Sequence, residues 1–244
     1  MASVVPCGGY HARTCPLRLD SASVFHSVST PNDTANILII FELATFTNKK
    51  METERIANCD IICGVNGTGK TTLLKRLLIR YYEAGNRILI VTPHPNEWSN
   101  VPDVHPTLRH HIATYTGWRR ILYYDGCVDD IRQYYSNGVL VFDDARAYIH
   151  AQTNDFMTWL QISRRQKSID FISVFHGLTQ VPPQYFTFAS NLFLFYTKDN
   201  IKRRGIYVDE TDFVRIQEAK RRIAQKVADG DKYYFELINL DARI

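Results

Sequence analysis

Short apolar runs alternate with stretches of helical period through the middle of the chain, and that alternation predicts an α/β fold. Cys59-Asp60-Ile61-Ile62-Cys63 reads as a short buried strand. After a glycine-rich interval, Leu73, Leu74, Leu77, Leu78 and Tyr81 recur at helical spacing, with Lys75, Arg76 and Arg80 on the other face. Arg87-Ile88-Leu89-Ile90-Val91 is a second strand, ended by Thr92-Pro93-His94-Pro95. A proline-rich stretch without period follows, then a third short strand, Ile121-Leu122-Tyr123-Tyr124, and a helix from about Val128 to Tyr135. Gly138-Val139-Leu140-Val141-Phe142-Asp143-Asp144 is a buried strand whose apolar run delivers two carboxylates at its end. A helix with Phe156, Trp159, Leu160 and Ser163 on one face leads to a strand at Asp170 to Phe175, and Asn191 to Tyr196 is the final core strand. A helix from about Thr211 to Ala228 turns Ile216, Ala219, Ile223 and Val227 inward, and Tyr233 to Leu240 suggests a closing strand.

The globular part begins near Asn36, where Ile37 to Phe46 forms a β-prone apolar stretch. Residues 1 to 35, rich in Ser, Thr, Pro, Gly and Cys without a sustained period, read as a flexible or partner-bound arm. The expected organisation is an arm over 1–35, a core over 36–200 and an appended helix and strand over 201–244. With 244 residues, 45% hydrophobic and 22% charged, the chain is long enough for one full core. No apolar run approaches the roughly 20 residues of a spanning helix, and the N-terminus lacks a signal-peptide core. The expectation is therefore a cytoplasmic protein without membrane insertion. Five cysteines without a C-x-x-C pair read as reduced thiols, with Cys59 and Cys63 packed on their strand and no zinc site. A net charge of +4, from 29 basic and 25 acidic residues, neither demands nor excludes a nucleic-acid partner.

The interval between the first strand and its helix is a complete G-x-x-x-x-G-K-[ST] phosphate-binding loop: Gly64, Val65, Asn66, Gly67, Thr68, Gly69, Lys70 and Thr71, with Thr72 next on the helix. A triphosphate needs many donors converging on its oxygens. The glycines let the backbone curl so that successive N–H groups point at the phosphates, at the helix end where the dipole is positive. Lys70 adds a mobile cation for the β- and γ-phosphates, and the hydroxyl of Thr71 is the expected Mg²⁺ ligand. The residues point to ATP or GTP. No N/T-K-x-D guanine-reading run is present, since Thr197-Lys198-Asp199 does not match its spacing, which favours ATP.

An apolar run ending in Asp-Asp also describes an ordinary strand before a helix cap. Paired with a phosphate loop about seventy residues upstream, it reads instead as a Walker-B strand. Parallel sheets bind ligands at the carboxyl ends of their strands, so both tips can face one nucleotide. Asp143 is then the Mg²⁺ carboxylate and Asp144 the group that polarises the attacking water.

The order of these motifs, followed by Ser163-Arg164-Arg165-Gln166-Lys167-Ser168-Ile169-Asp170, a strand, and Thr179-Gln180-Val181-Pro182-Pro183, resembles the FtsK/HerA superfamily of DNA-pumping ATPases, and within it the viral genome-packaging ATPases. The resemblance covers about residues 58 to 200. It departs from the family at Asp144, where many members carry Glu. It implies a P-loop NTPase of the ASCE type, a mainly parallel sheet flanked by helices on both faces. It implies Gln180 as a sensor of the γ-phosphate or the lytic water, and Arg164 or Arg165 as a finger reaching a neighbouring subunit, with Arg146 as a rival. It also implies DNA as partner, a homo-oligomeric ring, ATP with Mg²⁺, and a capsid or vertex protein met by the N-terminal arm.

Basic residues cluster at Lys198, Lys202, Arg203 and Arg204 and at Lys220, Arg221, Arg222 and Lys226. These positions suit a channel along DNA phosphates and equally a solvated helix face. Trp98, Trp118, Tyr115, Tyr123 and Tyr124 read as core or interface aromatics. Three rival functions stay open: a phage assembly ATPase of the zonula occludens toxin type, which needs a membrane segment; a small-molecule or nucleotide kinase, which works without DNA; and a nucleotide-dependent scaffold without turnover.

Overall fold

The computed structural model describes residues 57–104, 110–147, 159–160, 163–202 and 208–240. The N-terminal arm, the expected strand at 37–46, Phe156, Arg203 and Arg204 lie outside the described residues. Seven strands form one sheet: β1 (Cys59–Cys63), β2 (Arg87–Thr92), β3 (Trp118–Leu122), β4 (Gly138–Phe142), β5 (Ile169–Phe175), β6 (Asn191–Leu194) and β7 (Glu236–Asn239). Among the described residues five complete helices accompany them: α1 (Lys70–Glu83), α2 (His111–Thr114), α3 (Cys127–Tyr134), α4 (Pro183–Phe188) and α5 (Glu210–Ala228).

The strand order is β3-β2-β4-β5-β1-β6-β7, parallel throughout except for β7, which runs antiparallel to β6. Parallel neighbours need crossovers, and a parallel crossover is right-handed. The step from β1 to β2 and the steps from β3 rightward to β4, β5 and β6 therefore carry their helices to opposite faces. That is why β1, β4, β5 and β6 are buried along their whole length and read in sequence as unbroken apolar runs rather than alternating ones. β5 lies between β1 and β4, so a third strand tip stands between the glycine loop and the two carboxylates.

On α1 the inward stripe is as expected: Leu73, Leu74, Leu77 and Leu78 are buried, each worth about 2 kcal/mol of apolar transfer. Ile216, Ala219 and Ile223 do the same on α5, whose N-cap Asp209 accepts from the Asp212 amide at 2.8 Å. Polar groups inside the sheet are paired: Asn191 Nδ2 donates to Asp60 Oδ1 at 2.9 Å and the Asn58 amide donates to Asp170 Oδ1 at 2.8 Å. Cys59, Cys63 and Cys127 are buried thiols outside any disulfide. Burial pushes the Cys127 thiol up to about 12, so it stays neutral and behaves as a small apolar side chain.

Of the boundaries that differ from the sequence reading, three have a physical reason in the contacts around them. β3 starts at Trp118 rather than Ile121 because its apolar pattern is interrupted by Arg120, a buried arginine. Arg120 is held by Asp103 at 2.6 and 3.0 Å and by the carbonyls of Pro95 and Glu97 at 2.8 and 2.6 Å. The last core strand stops at Leu194, although Phe195 still donates to the Cys63 carbonyl at 2.8 Å. β7 begins only at Glu236, because residues up to Tyr234 are spent on a turn closed by Asp231. Helices α2 and α4 have too few residues for a periodic signal; α4 begins with Pro183 at its first position.

Candidate functional site

The phosphate loop leaves β1 and enters α1 as the motif requires. Gly64 donates to the Phe175 carbonyl at 3.2 Å and Val65 to the Tyr196 carbonyl at 2.9 Å, so the loop is stitched to the ends of β5 and of the segment after β6. Gly67 and Gly69 have φ of 79° and 96°, the left-handed region that glycine enters freely. The first α1 bond runs from the Leu73 amide to the Gly69 carbonyl at 3.0 Å. The amides of Lys70, Thr71 and Thr72 are thus the unsatisfied donors of a helix start. Thr68 donates to the Val65 carbonyl at 2.8 Å and the Lys70 ammonium donates to the same carbonyl at 2.9 Å. Lys70 is only 6% exposed. Burial holds its pKa below the ordinary lysine range, opposed by Cys63, Asp143 and Asp144. Asn66, Gly67, Thr71 and Thr72 are exposed.

The two carboxylates lie just past the end of β4, on a turn rather than on the strand itself. Asp143 is buried; its amide donates to the Val91 carbonyl at 2.9 Å, and its Oδ2 accepts from the Trp98 indole at 2.7 Å. Glu97 stands beside it: burial, then the Asp143 charge, push the Glu97 pKa up. Asp144 faces two histidines. His94 Nε2 lies 3.0 Å from Oδ2 and His176 Nε2 lies 3.3 Å from Oδ1. These come from the carboxyl ends of β2 and β5. Trp98 and Asp144 both have left-handed φ, 56° and 48°, a strain of about 1–2 kcal/mol each that sits where the site is assembled.

His94 carries a pKa above the usual histidine value, first through its hydrogen bond to Asp144, with burial opposing and Glu97 adding to it. The protonated ring is the favoured partner, so the pair's contribution is fully present below the unfolded histidine pKa and is lost as pH rises through the raised one. In a proton NMR titration His94 is expected above 6.5, and Asp144→Asn is expected to bring it down. An unchanged His94 pKa in that variant would refute the pairing.

Gln180 ends a short 3-10 turn, Leu178–Gln180, beyond β5. The turn is fixed by Asp199, whose Oδ2 accepts from the Thr179 amide at 3.0 Å. Among the described residues, Gln180 Oε1 and His176 Nδ1 are buried without a hydrogen-bond partner. Arg146 is exposed on a 3-10 turn directly after the carboxylates. Arg164 and Arg165 precede β5, at the opposite edge of the sheet from the loop. Arg164 is 6% exposed and donates to the Phe188 carbonyl at 3.3 Å, whereas Arg165 is exposed.

Among the described residues no three His, Cys, Asp or Glu side chains are grouped to hold a metal by themselves. Mg²⁺ at a triphosphate needs no such cage, because phosphates and water supply most of its ligands. A hydroxyl at the start of α1 and the Asp143 carboxylate fit that requirement. On α5, Arg222 is paired with Glu236 at 2.8 and 2.7 Å, Lys220 donates to the Asp199 carbonyl, and Lys226 lies 5.9 Å from the Tyr234 ring. Much of that basic cluster is thus engaged within the chain.

The sequence reading named the loop, Asp143, Asp144 and Gln180, but missed His94, Glu97 and His176 and read Trp98 as a core or interface aromatic. The available signal was position: His94 and His176 lie within two residues of the carboxyl ends of β2 and β5, and Glu97 and Trp98 stand in the turn after β2.

Solved structures share this architecture. The genome-packaging NTPase B204 from Sulfolobus turreted icosahedral virus 2, in complex with sulfate, matches with a TM-score of 0.58 and 16% identity, over 78% of this chain and 94% of B204. Its complex with AMPPCP matches with 0.57 and 16%, over 77% and 94%. The fold is that of B204. A further B204, the DNA-packaging ATPase from Sulfolobus turreted icosahedral virus, matches with 0.56 and 15%, over 76% and 93%. The likeness to B204 is one of fold; no protein-family model matches the sequence, and no curated protein matches it significantly. Among the described residues, no helix is long and apolar enough to cross a membrane.

Proposed function

We propose that this chain is an ATPase that couples ATP hydrolysis to the movement of DNA, and that its task is to drive a viral genome into a capsid. The observation that carries this reading is the strand order: β5 inserted between β1 and β4 puts the phosphate loop, the Asp143–Asp144 turn and the Gln180 turn on one sheet edge. B204, which has this fold, supports the packaging role over the kinase and scaffold readings.

In this reading the loop amides and Lys70 bind the β- and γ-phosphates. Lys70 gives up the Val65 carbonyl to do so. Thr71 and Asp143 would hold Mg²⁺, which would supply charge neutralisation on the phosphate oxygens. The Trp98 indole fixes the rotamer of Asp143. Asp144 orients the attacking water and takes its proton, and the unpaired Gln180 Oε1 is an acceptor for that water. Cationic help on the γ-phosphate comes from a neighbouring copy, through an exposed arginine, Arg165 or Arg146; Arg164 is retained by its own chain. A homo-oligomeric ring follows from that division of labour, with the N-terminal arm meeting a capsid protein.

The test is steady-state ATP hydrolysis by the purified chain with and without single- and double-stranded DNA. Turnover that rises with DNA and falls at least about 100-fold in Gln180→Ala is the expected result. Turnover indifferent to DNA would shift the reading to a kinase, and nucleotide binding without turnover to a scaffold.

A further inference from the structure

The loop between α5 and β7 passes beside the phosphate loop. A Cβ placed on Gly69 would lie 3.4 Å from Cδ1 of Tyr233 and 3.7 Å from Cε1 of Phe195. Tyr233 is 56% exposed, the most exposed large hydrophobic side chain among the described residues. What sets this ring apart is its place: it touches the phosphate loop yet stands outside the core.

The segment that carries it is well fastened. Asp231 donates its amide to the Lys226 carbonyl at 2.9 Å, and its Oδ1 accepts from the Tyr233 amide at 3.3 Å. Two residues on, Phe235 stacks against Phe195 with ring centres 5.0 Å apart and an interplanar angle of 29°. Phe195 in turn packs directly on Gly64. Tyr233 is thereby held in register with the phosphate loop, and the Lys232 ammonium lies 4.7 Å from its ring centre.

Strand order decides what the ring faces. The carboxylates Asp143 and Asp144 follow β4, on one side of β1, while Tyr233 precedes β7, on the other. A nucleotide whose γ-phosphate points to the carboxylates runs its phosphate chain across the start of α1, and its base emerges on the β6–β7 side.

We propose that Tyr233 is the platform on which the base of the bound nucleotide stacks. This rests on the nucleotide-binding reading given above and adds where the base is held. The contact is made by the ring face, which every base possesses, so it favours large purines over pyrimidines without distinguishing ATP from GTP.

The test compares binding of ATP, GTP and inorganic tripolyphosphate to the full chain by titration calorimetry. Tyr233→Ala is expected to weaken ATP and GTP by about 10- to 100-fold and to leave tripolyphosphate unchanged. Tyr233→Phe, which keeps the ring, is expected to bind ATP like the unaltered chain. Unchanged ATP affinity in Tyr233→Ala, or an equal loss for tripolyphosphate, would overturn the platform while leaving the phosphate site intact. Failure of the unaltered chain to bind either ATP or tripolyphosphate would overturn the nucleotide site itself, and the platform with it.

Discussion

Lys70→Ala is expected to lower kcat/KM for ATP on the order of 10³-fold without lowering thermal stability. The two halves of that expectation come from the same observation. Lys70 is 6% exposed and its ammonium donates to the Val65 carbonyl. Burial depresses its pKa, which means that the folded chain holds this cation at a cost. Removing it relieves that cost, so a melting curve is expected to show an unchanged or slightly raised Tm. The charge that neutralises the phosphates is lost, so hydrolysis collapses. Retention of activity within tenfold, measured on the same preparation, would remove Lys70 from the site.

Gly64→Ala acts on both stability and binding. The sequence explains this glycine by backbone freedom, yet Gly64 lies outside the left-handed region that Gly67 and Gly69 occupy. Space is the reason it is glycine. A Cβ there would stand 2.4 Å from the Phe195 Cβ and 3.3 Å from its Cα, and neither atom can be rotated away. Overpacking of this kind costs about 2–3 kcal/mol, or about 5–10 °C in Tm for a domain of this size. The loop would be pushed off the Phe175 and Tyr196 carbonyls that hold it, and ATP affinity is expected to fall with it. A variant that melts and binds ATP like the unaltered chain would show that the loop has room to shift.

What could be read from the residues was whatever has a local signature. The strand–glycines–helix unit is contiguous, so periodicity and motif located β1, the loop and α1 without reference to the rest. The Asp143–Asp144 pair needed one long step, from a buried run to a strand tip. His94, Glu97, Trp98 and His176 were not legible, because each matters only through a partner brought close by the sheet: 50 residues separate His94 from Asp144, and 45 separate Trp98 from Asp143. Arg120 hid the start of β3 for a related reason, since a buried arginine looks polar until its acceptors are known. Tyr233 was absorbed into a closing strand whose pattern ran three residues too far upstream.

Strand β1, which delivers the loop, is flanked by β5 and β6, and its first pairings join Cys59 to Phe171 and Asp60 to Asn191. A nascent chain that has emerged only as far as Glu83 already carries the whole glycine signature but neither of the strands that hold it in shape. Such long-range pairing is slow to form, and a chain that has emerged as far as Glu83 cannot begin it until Phe171, 88 residues further on, has left the ribosome. The first motif to be synthesised is therefore among the last to be held in its folded shape.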